Sequence, residues 1–254
     1  MTDLTGRTVL ITGASKGIGA EITAAVGRAG ASVIAAYHTD HAGAERATAE
    51  IPADRRHLVS LDLAQPGAGR ELWDTAMAWR GGIDVLVCNA AVMLQSPLEA
   101  SDDDWDEAWQ QTLAVNLVEP ANIMRAAVRH FAGSGGGTMI VLSSWAAQRG
   151  SGNPGLLAYS ASKAALKSLA QTLARAHAAD GVLVYVIAPG IVRTRMSEIS
   201  AAQLGGEDAV TATLAMGEWV PPREIAELTA FLASGTVRHL SGATLDVNGA
   251  SYIR

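Results

Sequence analysis

The chain has 254 residues, 49% of them apolar, and a formal net charge of −6, with 19 Lys and Arg against 25 Asp and Glu. That length suits one large α/β unit or two small ones, and it supplies enough apolar surface for a substantial core. The acidic balance argues against a general nucleic-acid binder, which carries a basic face. The single cysteine, Cys88, rules out an intrachain disulfide and fits a reducing, cytoplasmic setting.

The opening "MTDLTGRTVL" lacks a basic segment followed by an apolar core, so no secretory signal is expected. No apolar run approaches the ~18 residues of a membrane helix. "RTVLIT" (7–12) reads as a buried strand. From Gly17 the apolar residues Ile18, Ile22, Val26 and Ala29 form a helical stripe that ends at Gly30. "ASVIAAY" is a second strand, and the Ala-rich stretch with Glu45 and Glu50 a helix. "HLVSLDL" is a third strand, 69–80 a helix and "IDVLVCNA" a fourth strand. Residues 101–131 read as one or two long helices, with Ser101 as N-cap and carboxylates in the first turn, where the helix dipole favours them. "GTMIVLSS" is a fifth strand, 159–178 a helix and "VLVYVIAP" a sixth strand. "PPREIAELTAFLAS" is a helix opened by proline, and "ATLDVNG" a seventh strand. Strands apolar on both faces that alternate with helices imply a buried parallel sheet. No repeat, low-complexity tract or linker divides the chain, so one domain is expected.

Three glycines, Gly13, Gly17 and Gly19, crowd the turn between the first strand and first helix. In a doubly wound sheet this turn meets dinucleotide phosphates, because N–H groups at the helix start face the pyrophosphate and side chains would block it. The order here is T-G-x-x-x-G-x-G, which differs from G-x-G-x-x-G. A second constellation, "YSASK", places Tyr159 and Lys163 on one face of a helix. A phenol titrates near 10, and lowering it by about 3 units needs roughly 4 kcal/mol of preference for the anion. A cation about 4 Å away supplies that at an effective dielectric near 20. Lys163 is therefore expected to depress the Tyr159 phenol.

With both motifs in hand, the whole chain resembles the short-chain dehydrogenase/reductase family. It falls in the short-form subfamily and is similar there to the 3-oxoacyl-carrier-protein reductases. The resemblance implies a single-domain doubly wound (Rossmann) fold over 1–254, with a seven-stranded parallel sheet and a substrate lid at about 195–220. It implies a catalytic set of Asn116, Ser144, Tyr159 and Lys163. Cofactor contacts would come from Gly13, Ser15, Lys16, Gly17, Ile18 and Gly19 in the turn, and from Tyr37 and His38 after the second strand. Further contacts would come from Asp62 and Leu63, Asn89 and Ala90, the segment with Pro189, Gly190, Val192 and Thr194, and Tyr159 and Lys163 themselves. Asn116 would fix a water that joins Lys163 to solvent. In "CNAA", Cys88 and Ala91 depart from the family's N-N-A-G. The interval from Ser144 to Tyr159 is about two residues longer than the family's, so Ser143 competes with Ser144; the latter lies directly before the loop.

The resemblance implies an NADP(H)-dependent oxidoreductase that interconverts a ketone or 3-oxoacyl group and a secondary alcohol. NAD(H)-linked action on alcohols, sugars or steroids is the alternative, and a catalytically silent nucleotide sensor is a reading from another class. NADP(H) is expected over NAD(H). An acid at the end of the second strand would repel a 2′-phosphate, but Tyr37 and His38 stand there, the first acid is Asp40, and Lys16 can reach the phosphate. The six histidines show no metal-ligand spacing, so no metal is expected. The helix from Tyr159 is rich in small residues, and the family pairs it with the preceding long helix between subunits, which implies a homotetramer or dimer. Residues 195–220 are too long for an ordinary connection. With Gly205–Gly206 as a hinge they read as a lid over an apolar pocket walled by Trp145 and Met93. Arg149, Arg193 and Arg195 are near enough to clamp a carboxylate, but a neutral ketone or a thioester is expected. No nucleic-acid or membrane partner is expected.

Overall fold

The computed structural model describes residues 2–254. Strand β1 (Thr8–Thr12) is buried throughout and leads into α1 (Gly17–Arg28), whose buried stripe includes Ile22 and Val26. Strand β2 (Ser32–Tyr37) follows, then α2 (His41–Ala47), opened by the Asp40 carboxylate accepting from the Gly43 N–H at 2.8 Å. That helix stops short of Glu50. Strand β3 (Arg56–Ser60) ends before Asp62, and α3 (Ala68–Arg80) lies between Gly67 and Gly81. Both glycines have φ near +80° (+89° and +71°), a region that side chains other than glycine seldom adopt.

Strand β4 (Val85–Cys88) precedes α4 (Asp102–Leu113), capped by Ser101, which accepts from the Asp104 N–H at 3.2 Å. A π-helical turn (Ala114–Val118) joins α4 to α5 (Glu119–Gly133), so of the one or two long helices expected the chain forms two, with a bulge between them. Strand β5 (Gly137–Leu142) is followed by a one-turn helix, α6 (Ala146–Arg149), that sequence periodicity did not register. Helix α7 (Leu157–His177), β6 (Val182–Pro189), α8 (Arg195–Ala202), α9 (Glu207–Thr211), α10 (Pro222–Ala233) and β7 (Thr244–Val247) complete the chain.

The seven strands pair in parallel in the order β3-β2-β1-β4-β5-β6-β7. The order reverses between β1 and β4, so a crevice opens at their carboxyl ends, where open α/β sheets bind ligands. One core packs α3, α5 and α7 on the sheet through residues such as Leu86, Ile123, Phe131, Met139 and Leu166. The other packs α1 and α10 through Ile22, Val33, Ile140, Tyr185 and Ile225. Each such side chain contributes about 1.5–3 kcal/mol on burial.

Glu119 is a buried carboxylate that crosses between α5 and α3. It accepts from the N–H groups of Gly67 (2.9 Å) and Gly69 (2.7 Å) and from the Asn122 amide (3.2 Å). Burial works to raise its pKa, but these three donors prevail and lower it. Among the described residues no helix is long and apolar enough to cross a membrane, and no group of three His, Cys, Asp or Glu is placed to hold a metal ion.

Candidate active site

The glycine turn lies at the crevice, and the glycines are required first by the protein's own backbone. Gly13 has φ +69°, and a Cβ there would stand 2.9 Å from the Ala90 Cα. A Cβ on Gly19 would stand 2.0 Å from the Gly13 carbonyl oxygen, so α1 could not pack on the turn. Gly17 has φ +54° and faces the Thr194 methyl, 3.3 Å from its would-be Cβ. Thr12 and Asn89 staple the turn to the end of β4. The Thr12 hydroxyl accepts from the N–H groups of Asn89 (3.0 Å) and Ala90 (3.1 Å), and the Asn89 amide donates to the carbonyls of Thr12 (2.9 Å) and Gly13 (3.1 Å). Asn89 is thus a brace for the turn. Sequence reading gave Thr12 no role of its own, since its partners lie 77 and 78 residues away.

The turn nevertheless fits a dinucleotide. Helix α1 begins after Lys16 with no side-chain cap and no acid in its first turn. Its first N–H groups therefore lack the partners that helix starts otherwise recruit, and a pyrophosphate supplies them. Ser15 is buried and Lys16 exposed at this end, and Ile18 packs on the second core. On the adenosine side, the Tyr37 hydroxyl hydrogen-bonds His41 Nδ1 (2.7 Å), and His38 lies 3.9 Å from Asp62. Asp62 accepts from the Ala64 N–H and the Gln65 amide, which lower its pKa. Asp40 is occupied as the α2 cap. The Leu63 side chain is in the core, so only its backbone can meet a ligand.

Ser144, Tyr159 and Lys163 converge where β5 ends against α7. The Ser144 hydroxyl accepts from the Ala146 N–H at 3.1 Å, in the first turn of α6, and is near enough to the Tyr159 phenol to favour its ionised form. Ser143 points the other way and donates to the Lys163 carbonyl (3.0 Å). Geometry thus separates two serines that adjacency could not. Lys163 is 2% exposed, its ammonium donates to the Leu142 carbonyl (2.8 Å), and burial lowers its pKa to about 8.

The expected depression of Tyr159 is not found. Burial pushes the phenol above its usual value, opposed by the nearby Ser144 hydroxyl. The lysine ammonium lies 5.8 Å from the ring centroid and is directed at the Leu142 carbonyl. Asn116 is tied to the protein by its side chain. It is fully buried in the π-helical turn, and its side chain is spent on the protein. It accepts from the Val92 N–H (2.8 Å) and donates to the Val92 carbonyl (2.9 Å) and the Ser162 hydroxyl (3.1 Å). The amide therefore uses both donors to hold the chain after β4 against α7. Cys88 is buried with its thiol pushed up to about 12, so it stays neutral and unreactive.

On the far wall, Pro189 ends β6, the Gly190 N–H donates to the Val247 carbonyl (2.9 Å), and Val192 is a core residue bridged to Val220. Thr194 caps α8, accepting from the Ser197 N–H at 3.3 Å. The 195–220 segment is two short helices with a small core of their own, formed by Ala201, Val210, Leu214 and Trp219. Trp145, expected as a pocket wall, packs into that core. Of the three candidate arginines, Arg193 pairs with Glu207 (2.7 Å) and Arg195 with Glu198 (3.4 Å). Arg149 stacks on Trp145, 4.8 Å from its ring centroid.

The Ser–Tyr–Lys group thus lies beyond the carboxyl end of β5, in a doubly wound sheet whose relatives are named dehydrogenases and reductases acting on CH–OH or carbonyl groups. Residues 13–250 match a family model described as enoyl-(acyl carrier protein) reductase. The chain is 34% identical over 256 residues to 3beta-hydroxysteroid dehydrogenase 1 of Eggerthella lenta, covering 97% of this chain and 94% of that one. It is 32% identical over 249 residues to the 3-oxoacyl-(acyl-carrier-protein) reductase of Escherichia coli, covering 98% of each. Its fold is similar to that of a 3-oxoacyl (acyl-carrier-protein) reductase of Agrobacterium tumefaciens with NADP bound, with a TM-score of 0.87, 31% identity and coverage of 97% of this chain and 95% of that one. The chain belongs to the short-chain dehydrogenase/reductase family.

Proposed function

We propose that the protein is an NADP(H)-dependent reductase of a neutral ketone or a 3-oxoacyl thioester, working in a cytoplasmic setting with one domain for binding and chemistry. The observation that carries this reading is the gathering of Ser144, Tyr159 and Lys163 where β5 ends against α7, with the buried Lys163 ammonium 5.8 Å from the Tyr159 ring centroid. The bound cofactor supplies hydride to the carbonyl carbon. Tyr159 gives its proton to the carbonyl oxygen. Its raised pKa keeps the phenol protonated at neutral pH, which suits an acid in the reducing direction. Ser144 hydrogen-bonds the same oxygen and polarises it. Lys163 holds positive charge beneath the phenolate that forms, and it orients the cofactor ribose. Asn116 positions the chain at Val92, on the near side of the crevice.

Preference for the 2′-phosphate rests on Lys16, exposed beside the uncapped start of α1, and on the commitment of Asp40 to capping α2. The 3-oxoacyl reading draws on the Escherichia coli and Agrobacterium tumefaciens relatives, and a steroid alcohol is the second reading, from the Eggerthella lenta enzyme. The 195–220 segment acts as a lid, with the exposed Met196, Ile199 and Leu204 of its first half available to apolar substrate. Assembly as a dimer or tetramer would be read by light scattering. The deciding experiment follows NADPH oxidation against β-ketoacyl thioesters, cyclic ketones, steroids and keto acids. Turnover of thioesters or neutral ketones supports the proposal, and turnover of small keto acids alone overturns it.

A further inference from the structure

Trp145 follows Ser144 at the mouth of the site. Its backbone N–H donates to the Pro189 carbonyl at 3.0 Å, which ties the residue after β5 to the end of β6. Its ring lies over Gly190, with Cε3 only 3.5 Å from where a Cβ would stand. The same glycine is pressed from the other side by Asn248, whose Cβ would be 2.8 Å away. The ring also packs against the core of the 195–220 segment, the cluster of Val210, Leu214 and Trp219. Arg149 stacks on the ring and also lies 5.8 Å from the ring centroid of Tyr252 in the C-terminal segment. The indole thus touches the lid core, the Gly190 backbone and a stacked guanidinium. A displacement of any one of them presses on the half-buried ring.

Two residues of this arrangement bear on the reaction. Ser144 has its hydroxyl fixed by the Ala146 N–H in the turn that Trp145 opens. Gly190 adjoins Pro189 on the wall expected to face the nicotinamide. A shift of the lid helices therefore moves Trp145, and through it both the Ser144 turn and the Gly190 backbone. We infer that Trp145 is a positioning residue that transmits the packing of the 195–220 helices to Ser144, so that the lid sets the rate of the chemical step as well as access. This rests on the proposed reaction for its kinetic reading, while the coupling of lid to indole does not.

The test uses Leu214→Ala, a buried lid-core change that touches neither the Ser–Tyr–Lys group nor the glycine turn. Leu214→Val serves if the alanine variant fails to fold. Kinetics with NADPH and a ketone are paired with the emission of Trp145, isolated as the difference between each protein and its Trp145→Phe counterpart. Positioning predicts a fall in kcat of at least fivefold in the lid variant, with KM for NADPH within twofold and the Trp145 emission shifted to the red. It also predicts that Trp145→Phe, which keeps an aromatic ring, retains kcat within about fivefold, whereas Trp145→Ala loses at least a hundredfold. A change in KM alone, unchanged kcat, or an unshifted Trp145 emission overturns the inference. Absence of turnover by the unaltered protein refutes the proposed reaction; emission alone then decides whether the lid core holds the indole.

Discussion

Replacing Lys163 by methionine should separate stability from turnover. The ammonium is 2% exposed and its pKa falls from 10.5 to about 8. Keeping it charged at pH 7 therefore costs the folded state about 3 kcal/mol. Methionine fills similar volume without a charge, but it frees the Leu142 carbonyl that the ammonium satisfies at 2.8 Å, which costs about 1–3 kcal/mol. The balance is a variant at least as stable as the original, by up to about 2 kcal/mol, or a thermal midpoint up to ~6 °C higher. The pH dependence gives a second, sharper check. The folded pKa lies below the unfolded one, so between pH 8 and 10.5 the unfolded chain binds the extra proton, and stability contributed by this group rises with pH in that window. Thermal melts at pH 7 and pH 9.5 should show Lys163→Met gaining most at pH 7, with the gap closing at pH 9.5. NADPH-dependent turnover should be lost at both. A midpoint at least 5 °C lower at pH 7, with a pH dependence parallel to the original, would refute the reasoning that desolvation dominates at this site.

Four further outcomes are expected. Tyr159→Phe should abolish ketone reduction by at least a thousandfold while leaving the NADPH dissociation constant, measured by fluorescence titration, within about threefold. Ser144→Ala should reduce kcat by at least tenfold with little thermal change, whereas Ser143→Ala, which loses the bond to the Lys163 carbonyl, should lower the thermal midpoint. Gly19→Ala places a Cβ 2.0 Å from the Gly13 oxygen, so calorimetry should report a loss of about 3 kcal/mol or more together with loss of NADPH binding, because only a shift of α1 relieves the clash. Glu119 has a lowered pKa, so the stability it contributes is present above its unfolded value and is lost as pH falls. Urea melts should show Glu119→Gln less sensitive than the original between about pH 5 and pH 3.

The alternation of strands and helices was legible without coordinates, because strands buried on both faces are apolar at every position, and β6 shows this in "VLVYVIAP". The glycine turn and the Tyr159–Lys163 pair were legible too, since each depends on residue types at short spacing along one element. The Ser101 cap was legible for the same reason, the donor being three residues away. Tertiary structure decided what depends on partners distant in the chain. The buried Asn116 amide is consumed by Val92, 24 residues earlier, through a π-helical turn that no local propensity announces. Ser143 and Ser144 are alike in type and adjacent, and only the facing surface of α7 separates them. The Tyr159 phenol is pushed upward because the cost of burial outweighs the favourable influence of Ser144, while Lys163 is directed at Leu142. Local spacing reports which groups are near one another, but desolvation and hydrogen-bond partners are set by the whole packed chain, and these determine how the groups behave.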